Sequence, residues 1–225
     1  MKRFFKYTAC FLLTVIIFSA CKKDDYLKGG TIRSNKVNMT TYDFLKSNSA
    51  GLFDTLLLLV DKAGVKDKIN QQGISFFAPT DYAINAYLQL RVAQEQNINP
   101  LRKWTIDSLI KYELPKFTDS INVYMVNKLL TYDNLTETGS TYATLKPGAD
   151  CKVSYEETRD PELGYNPNVS TIPRIVYFTC KNLKTRVQTS GIETTTGMLH
   201  ILANPHLNNS RTLDNDGNVL FFRNK

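Results

Sequence analysis

Residues 74–88 read ISFFAPTDYAINAYL, a short apolar run joined by a proline to a segment with helical spacing. The run Ile74–Ala78 is typical of a buried strand, and Pro79 ends it. Thr80 stands where the next helix would begin, and its hydroxyl can accept a hydrogen bond from the unpaired amides of a helix start. Asp81 adds a negative charge that the helix dipole favours. The stretch therefore predicts a strand that runs directly into a helix.

Helical spacing also appears on both sides of this stretch. The earlier segment, TTYDFLKSNSAGLFDTLLLLVDKAG, is predicted to be helical from a cap at Thr40 or Thr41 to a stop at Gly64. The later segment Trp104–Leu114 predicts another helix, which Pro115 should end because a proline removes a backbone donor.

The second half of the chain is rich in β-forming residues. Apolar residues cluster or alternate between turn residues in five runs: YATL, CKVSYE, RIVYFTCKNL, KTRVQT and GMLHIL. These runs predict a mostly antiparallel sheet. A long loop, TRDPELGYNPNVSTIP, separates two of them, and the tail LDNDGNVLFF predicts a hairpin on Asp216-Gly217.

The first twenty residues have the composition of an export signal. Three basic residues precede the apolar run Thr8–Phe18, which is shorter than the roughly 20 residues that a bilayer requires. Ser19, Ala20 and then Cys21 follow. The pattern resembles the bacterial lipoprotein signal, which implies removal of residues 1–20 and acylation of the Cys21 thiol. The alternative is an ordinary signal peptide with a chance cysteine.

Four charged residues come directly after this cysteine. Lys22-Lys23-Asp24-Asp25 resemble the export tag of some Gram-negative surface lipoproteins, which implies an outer-membrane protein displayed at the cell surface. The alternative is a solvated charge run. Residues 21–36 are predicted to form a flexible, lipidated tether, because two glycines lie among polar residues there.

Composition favours one domain and argues against a nucleic-acid partner. Removal of 20 of the 225 residues leaves a chain of ordinary single-domain size, and its 42% hydrophobic content can form a core. The net charge of +7 falls to +4 when the three basic signal residues leave, and no block of Lys and Arg remains.

Two cysteines remain in the predicted mature domain, because Cys10 leaves with the signal and Cys21 carries the lipid. An exported protein enters an oxidising space, so Cys151 and Cys180 can form a disulfide. Two separate buried thiols fit equally well, because free cysteine packs as a small hydrophobe.

Two separated motifs together resemble the fasciclin family. The first is the strand-to-helix stretch, in which Phe77-Ala78-Pro79-Thr80 match the family pattern. The second is TTTGMLHIL, where the family usually has Asn-Gly before alternating apolar residues and a histidine. Here Gly197 and His200 match, Thr196 replaces the asparagine, and the glycine is expected to make a turn.

A third motif lies between these two. VYMVNKLLTYDNL resembles the family's middle motif, a Tyr-His pair before an apolar strand. Tyr124 matches, but Met125 stands in place of the histidine. In animal matrix members this region is implicated in adhesion to cell-surface receptors, so the departure argues against that particular activity.

The resemblance implies an α+β fold with a single fasciclin-like domain. Its helices are expected to pack on a β-wedge of two mainly antiparallel sheets. The domain is predicted to span residues 37–209, and residues 210–225 form a C-terminal hairpin or tail.

No catalytic or metal-binding set stands out in the sequence. His200 and His206 are the two histidines, and neither lies near a Cys, Asp or Glu at metal-ligand spacing. His200 on an apolar strand is predicted to be a hydrogen-bonded core residue. We therefore expect no enzyme activity, no metal and no cofactor.

Exposed tyrosines are the candidate ligand-binding residues. Tyr155 and Tyr165 lie in or beside the long loop, where aromatic rings can stack on sugars or present rigid area to a protein. The alternative is a loop whose Tyr165 packs back onto the domain. The leading hypothesis is a non-enzymatic, lipid-anchored surface protein that mediates adhesion or binds extracellular protein or matrix. The second is an accessory glycan-binding lipoprotein of an outer-membrane polysaccharide uptake system.

Overall fold

The computed structural model describes residues 35–169, 171–181 and 183–204. Several predicted features lie outside this part of the chain: the signal, Cys21, the Lys22–Asp25 tag, the tether up to residue 34, His206 and the tail hairpin. Within the described residues, no helix combines the length and apolar character needed to cross a membrane.

The described residues form five α-helices. Their bounds are α1 Thr41–Lys46, α2 Asp54–Ala63, α3 Lys66–Ile69, α4 Asp81–Ile98 and α5 Ile106–Ile121. Short 3-10 turns cover Asn122–Tyr124, Tyr132–Asn134 and Pro161–Leu163.

Two of the helix predictions needed correction. The segment from Thr40 to Gly64 holds two helices rather than one, because residues 47–53 leave the helical path. Thr40 caps α1 by accepting from the Asp43 amide, and Gly64 ends α2 with a left-handed backbone, φ +65°, as predicted.

Pro115 does not end its helix, because α5 continues through it to Ile121. Two residues of the last turns, Phe117 and Ile121, are fully buried in the core. Burying these side chains outweighs the loss of one backbone hydrogen bond.

In the part of the chain that the structure describes, seven strands form one mixed sheet. Their bounds are β1 Ile74–Ala78, β2 Met125–Val126, β3 Ser140–Ala143, β4 Asp150–Glu157, β5 Arg174–Cys180, β6 Leu183–Glu193 and β7 Gly197–Leu202. The strand order is β2-β1-β7-β6-β5-β4-β3. Every neighbouring pair is antiparallel except β1 and β7, which run parallel with Phe77 opposite His200. The predicted α+β class is confirmed.

The two edges of this sheet approach each other, so the sheet is nearly closed. Val126 of β2 forms an isolated bridge with Thr144, just beyond β3. The Leu145 amide donates to the Met125 carbonyl at 2.8 Å. The two-sheet wedge expected from the resemblance is not confirmed; the strands follow one another in a single order.

The described chain begins with a short pairing against β6. The Val37 amide donates to the Glu193 carbonyl at 2.8 Å, and the Glu193 amide donates to the Asn35 carbonyl at 2.9 Å. The Lys36 ammonium lies 3.1 Å from the Glu193 carboxylate. These contacts attach the start of the domain to the end of β6.

The turn between β1 and α4 joins three parts of the chain. Thr80 occupies the N-cap position of α4, but its hydroxyl makes no capping bond; it donates to Asn204 Oδ1 at 2.7 Å. The buried Asp81 carboxylate accepts from the Thr55 amide at 2.7 Å and the Leu56 amide at 2.9 Å. Asp81, the first residue of α4, therefore caps the start of a different helix, α2.

Candidate functional site

The family motifs meet at the centre of the core. The Phe77 ring stacks on His200 with 4.6 Å between centroids and on Phe178 at the same distance. Phe77 is completely buried, as are Ala78 and the proline that follows. These motif residues hold β1, β5 and β7 together and are closed to any ligand.

His200 is fully satisfied inside this core. Its Nε2 lies 3.1 Å from the Leu130 carbonyl, and its Nδ1 accepts from the Gly191 amide at 3.3 Å. The ring is therefore neutral, with its proton on Nε2. Burial lowers the pKa of His200 from 6.5 to about 4. This geometry agrees with the predicted core histidine.

The buried His200 predicts acid sensitivity. The unfolded chain takes up a proton near pH 6.5, whereas the folded chain does so only near pH 4. The free energy of unfolding should therefore be unaffected by this group above pH 6.5 and fall as the pH drops towards 4. The full loss is about 3 kcal/mol at 1.36 kcal/mol per pKa unit.

Urea unfolding at pH 7.0, 5.5 and 4.5 would measure this loss. A His200→Gln variant serves as the control, because its carboxylates still titrate while position 200 does not. The difference between the two proteins should shrink as the pH falls. Parallel pH profiles would contradict the assignment.

Three threonine hydroxyls organise the second family motif. Thr41 Oγ1 lies 2.9 Å from Thr194 Oγ1 and 3.1 Å from Thr196 Oγ1, and all three residues are buried. The Thr41 amide also donates to Thr196 Oγ1 at 3.1 Å. Thr196, which replaces the family asparagine, thus accepts a hydrogen bond from a backbone amide at the start of α1 that has no partner within the helix.

Gly197 does not make the predicted turn. It is the first residue of β7, and the turn lies at residues 194–196. A Cβ placed on Gly197 would stand 2.4 Å from the Ile74 carbonyl oxygen of the parallel strand. The position requires glycine because two backbones approach closely there.

The middle motif is also buried. Tyr124 is 3% exposed and stacks on Phe178 at 5.7 Å, and Met125 is completely inaccessible. Burial raises the pKa of the Tyr124 hydroxyl well above its usual value. Neither side chain can therefore touch a partner at the surface.

Cys151 and Cys180 are direct cross-strand partners in β4 and β5. Both are buried and both are free thiols in the structure. Burial raises the pKa of the Cys151 thiol to about 12, and it raises the pKa of the Cys180 thiol as well. Because thiolates are the reactive form, both groups should be inert in the folded domain.

Thiol labelling tests this directly. At pH 8 Cys151 in the folded protein should alkylate about a thousandfold more slowly than an exposed cysteine, given its thiolate fraction, and Cys180 should also react more slowly than an exposed cysteine. Denaturation should make both positions react fully. Peptide mass analysis follows each cysteine separately. A pair that stays unlabelled in denaturant until a reductant is added would show a disulfide instead.

The two predicted ligand-binding tyrosines lie in different settings. Tyr155 is half-buried at the end of β4, with the Arg174 guanidinium 4.7 Å from its ring centre. Tyr165 is half-buried in the long loop, where its amide donates to the Asp160 carbonyl at 3.1 Å. Neither tyrosine is among the described residues that line the cleft beside the long loop.

A surface cleft of about 700 Å³ opens where the long loop returns to the sheet. It is lined by Tyr132, Glu157, Thr171, Ile172, Pro173 and Arg174. Tyr155 lies beneath its arginine. The alternation of CKVSYEE could have placed Glu157 on the same face as Cys151 and Val153. Nothing in the sequence could have brought Tyr132 to the same place.

Residues 35–169, 171–181 and 183–204 contain no group of three or more His, Cys, Asp or Glu side chains able to hold a metal ion. The described groups that a ligand in the cleft could contact are one aromatic ring, one ion pair and the loop backbone.

The solved FAS1 domain pair from the insect cell adhesion molecule fasciclin I is similar, with a TM-score of 0.48 and 13% identity. The alignment covers 70% of this chain and 45% of that one, so the present chain spans less than half of its length. A search of curated protein sequences found no significant match. The family profile described as "Fasciclin domain" matches residues 51–205, more than half of the chain. The protein therefore belongs to the fasciclin domain family.

Proposed function

We propose that this protein is a non-enzymatic, lipid-anchored surface protein whose fasciclin domain binds an extracellular macromolecule. The family match over residues 51–205 carries the proposal, since fasciclin domains are associated with adhesion and binding. The partner is an extracellular protein, a matrix component or a glycan.

The N-terminal sequence supports the anchor and the location. Cys21 receives the lipid, and Lys22–Asp25 direct the protein to the outer face of the outer membrane. Residues 22–34 precede the first pairing with β6, and fully extended they span at most about 45 Å. The domain thus stays within reach of the membrane to which it is attached.

The site geometry supports a binding role rather than catalysis. His200 is sealed in the core with both ring nitrogens engaged, so it cannot exchange protons with a substrate. The charged residues of the cleft, Glu157 and Arg174, are paired with each other at 3.3 Å. Such a pair can orient a ligand by hydrogen bonds.

Labelling of cells with radioactive palmitate tests the anchor. We expect the native chain to carry the label and a Cys21→Ser variant to lack it, with Cys10→Ser as a control that behaves like the native chain. Protease added to intact cells should cleave the native domain. A Cys21→Ser variant that still incorporates palmitate, or a domain protected while a known surface protein is cleaved, would contradict the proposal.

A further inference from the structure

The long-loop cleft lies at the point where the inner face of the sheet becomes polar. Successive cross-strand pairs of β4 and β5 on that face are Cys151 with Cys180, Val153 with Phe178, Tyr155 with Val176 and Glu157 with Arg174. The first two pairs are buried, Tyr155 is half-buried, and the last pair is exposed. The core therefore ends in an ion pair at the cleft.

Tyr132 forms the aromatic wall of the cleft and is held in a fixed orientation. It is 45% exposed, and its hydroxyl bonds the Ser190 hydroxyl. A Cβ at Gly191 would come within 3.4 Å of the ring, so the ring lies directly against this glycine. One part of the ring is thus packed on β6, while the rest is accessible from solvent.

The opposite wall presents hydrogen-bonding groups. The Arg174 guanidinium packs over Tyr155 and lies 3.3 Å from Glu157 Oε1, so its position is defined from two sides. The Thr158 amide donates to the Pro173 carbonyl at 3.0 Å and closes the base of the long loop. The side chains of the ion pair remain 39% and 50% exposed, so unused donors and acceptors point to solvent.

We infer that this cleft binds a neutral pyranose unit of an extracellular glycan, which deepens the proposed binding function and rests on it. The apolar C–H face of the sugar stacks on Tyr132, because the face of an aromatic ring carries negative charge. Glu157 accepts from sugar hydroxyls, and Arg174 donates to them. A volume of about 700 Å³ accommodates one to three sugar rings.

Charge favours a neutral ligand. Glu157 and Arg174 neutralise each other, and among the described residues that line the cleft no other is charged. An acidic sugar would compete with Glu157 for the guanidinium and would meet the repulsion of its carboxylate. A neutral sugar can use both groups without breaking the pair.

Affinity electrophoresis of the full chain, purified in a mild detergent, tests the inference. The gels contain a neutral glucan, mannan or galactan, or the acidic polygalacturonate. We expect retardation by at least one neutral polysaccharide. Tyr132→Ala should weaken it about tenfold or more, comparable to the loss of an aromatic stacking platform elsewhere. Tyr82→Ala, which removes a ring that is 55% exposed on α4, should leave it unchanged.

Two further measurements make the result independent of folding defects. Circular dichroism must show that Tyr132→Ala keeps its secondary structure. Saturation-transfer NMR with a bound neutral oligosaccharide should show the strongest transfer at ring C–H protons. Glu157→Gln, which keeps hydrogen-bonding atoms but removes the charge, should weaken neutral-sugar binding by less than Tyr132→Ala.

Every outcome of the binding measurements either supports or overturns the inference that the cleft binds a glycan. Retardation that survives Tyr132→Ala, retardation by polygalacturonate alone, or none on any polysaccharide would overturn the glycan cleft. The broader binding function is judged separately by crosslinking on intact cells. A protein partner found there, together with no polysaccharide binding, would overturn the inference and leave the proposed function standing.

Discussion

Gly197→Ala is expected to abolish the folded state or destabilise it by at least about 4 kcal/mol, the upper range for single substitutions. The added methyl would lie 2.4 Å from the Ile74 carbonyl oxygen, a distance that no side-chain rotation can relieve. Relief requires β1 and β7 to separate. That movement breaks the one parallel pairing between two of the seven described strands and disturbs the nearby stack of Phe77 on His200.

The matched control for this variant is Gly148→Ala. Gly148 has φ +72°, and a Cβ there meets nothing within 4 Å. Alanine at this position therefore strains the backbone without a steric clash. It should lower the free energy of unfolding by about 1 kcal/mol. Soluble yield and urea unfolding would compare the two. Equal losses would show that the strand contact at Gly197 is looser than the structure indicates.

Asp81→Ala should cost about 3–5 kcal/mol, because it removes two charge-assisted hydrogen bonds of about 1.5–3 kcal/mol each. The amides of Thr55 and Leu56 would lose their partner at the start of α2. Leu56 is completely buried, so water cannot replace the carboxylate at its amide without opening the packing. Denaturant unfolding at pH 7 measures the change.

Asp54→Ala provides the comparison within the same helix. Asp54 also lies in the first turn of α2, but it is exposed and makes no capping bond. Its removal should cost less than about 1 kcal/mol, the usual range for a charge near a helix end. If both variants lost the same stability, the helix dipole rather than the specific hydrogen bonds would explain Asp81.

Local patterns in the sequence were sufficient to locate most elements. The apolar run before Pro79 and the five β-rich runs became strands, because apolar and β-branched residues bounded by turn residues are a local signal. The resemblance at Phe77–Thr80 and Gly197–His200 led to the correct family. Pro115 misled the prediction because the buried Phe117 and Ile121, farther along α5, decide where that helix ends.

Contacts between residues far apart in the chain could not be predicted from local sequence patterns. Thr80 looked like a cap, yet its hydroxyl bonds Asn204, which is 124 positions away. Gly197 looked like a turn residue, yet a neighbouring strand imposes its identity. Tyr165 was predicted to bind a ligand because it lies in a loop. Tyr132 was not predicted, because it lines the cleft only through the placement of the 3-10 turn Tyr132–Asn134 beside β6.

The near closure of the sheet bears on how the domain behaves when many copies lie close together. Unpaired strand edges are templates on which copies of a chain polymerise by strand addition. Here the terminal strands are only two and four residues long, and the Leu145 amide joins them through the Met125 carbonyl. Crowded neighbours therefore find little free backbone to extend. Within the described residues, association of copies would thus rely on side-chain contacts rather than on strand addition.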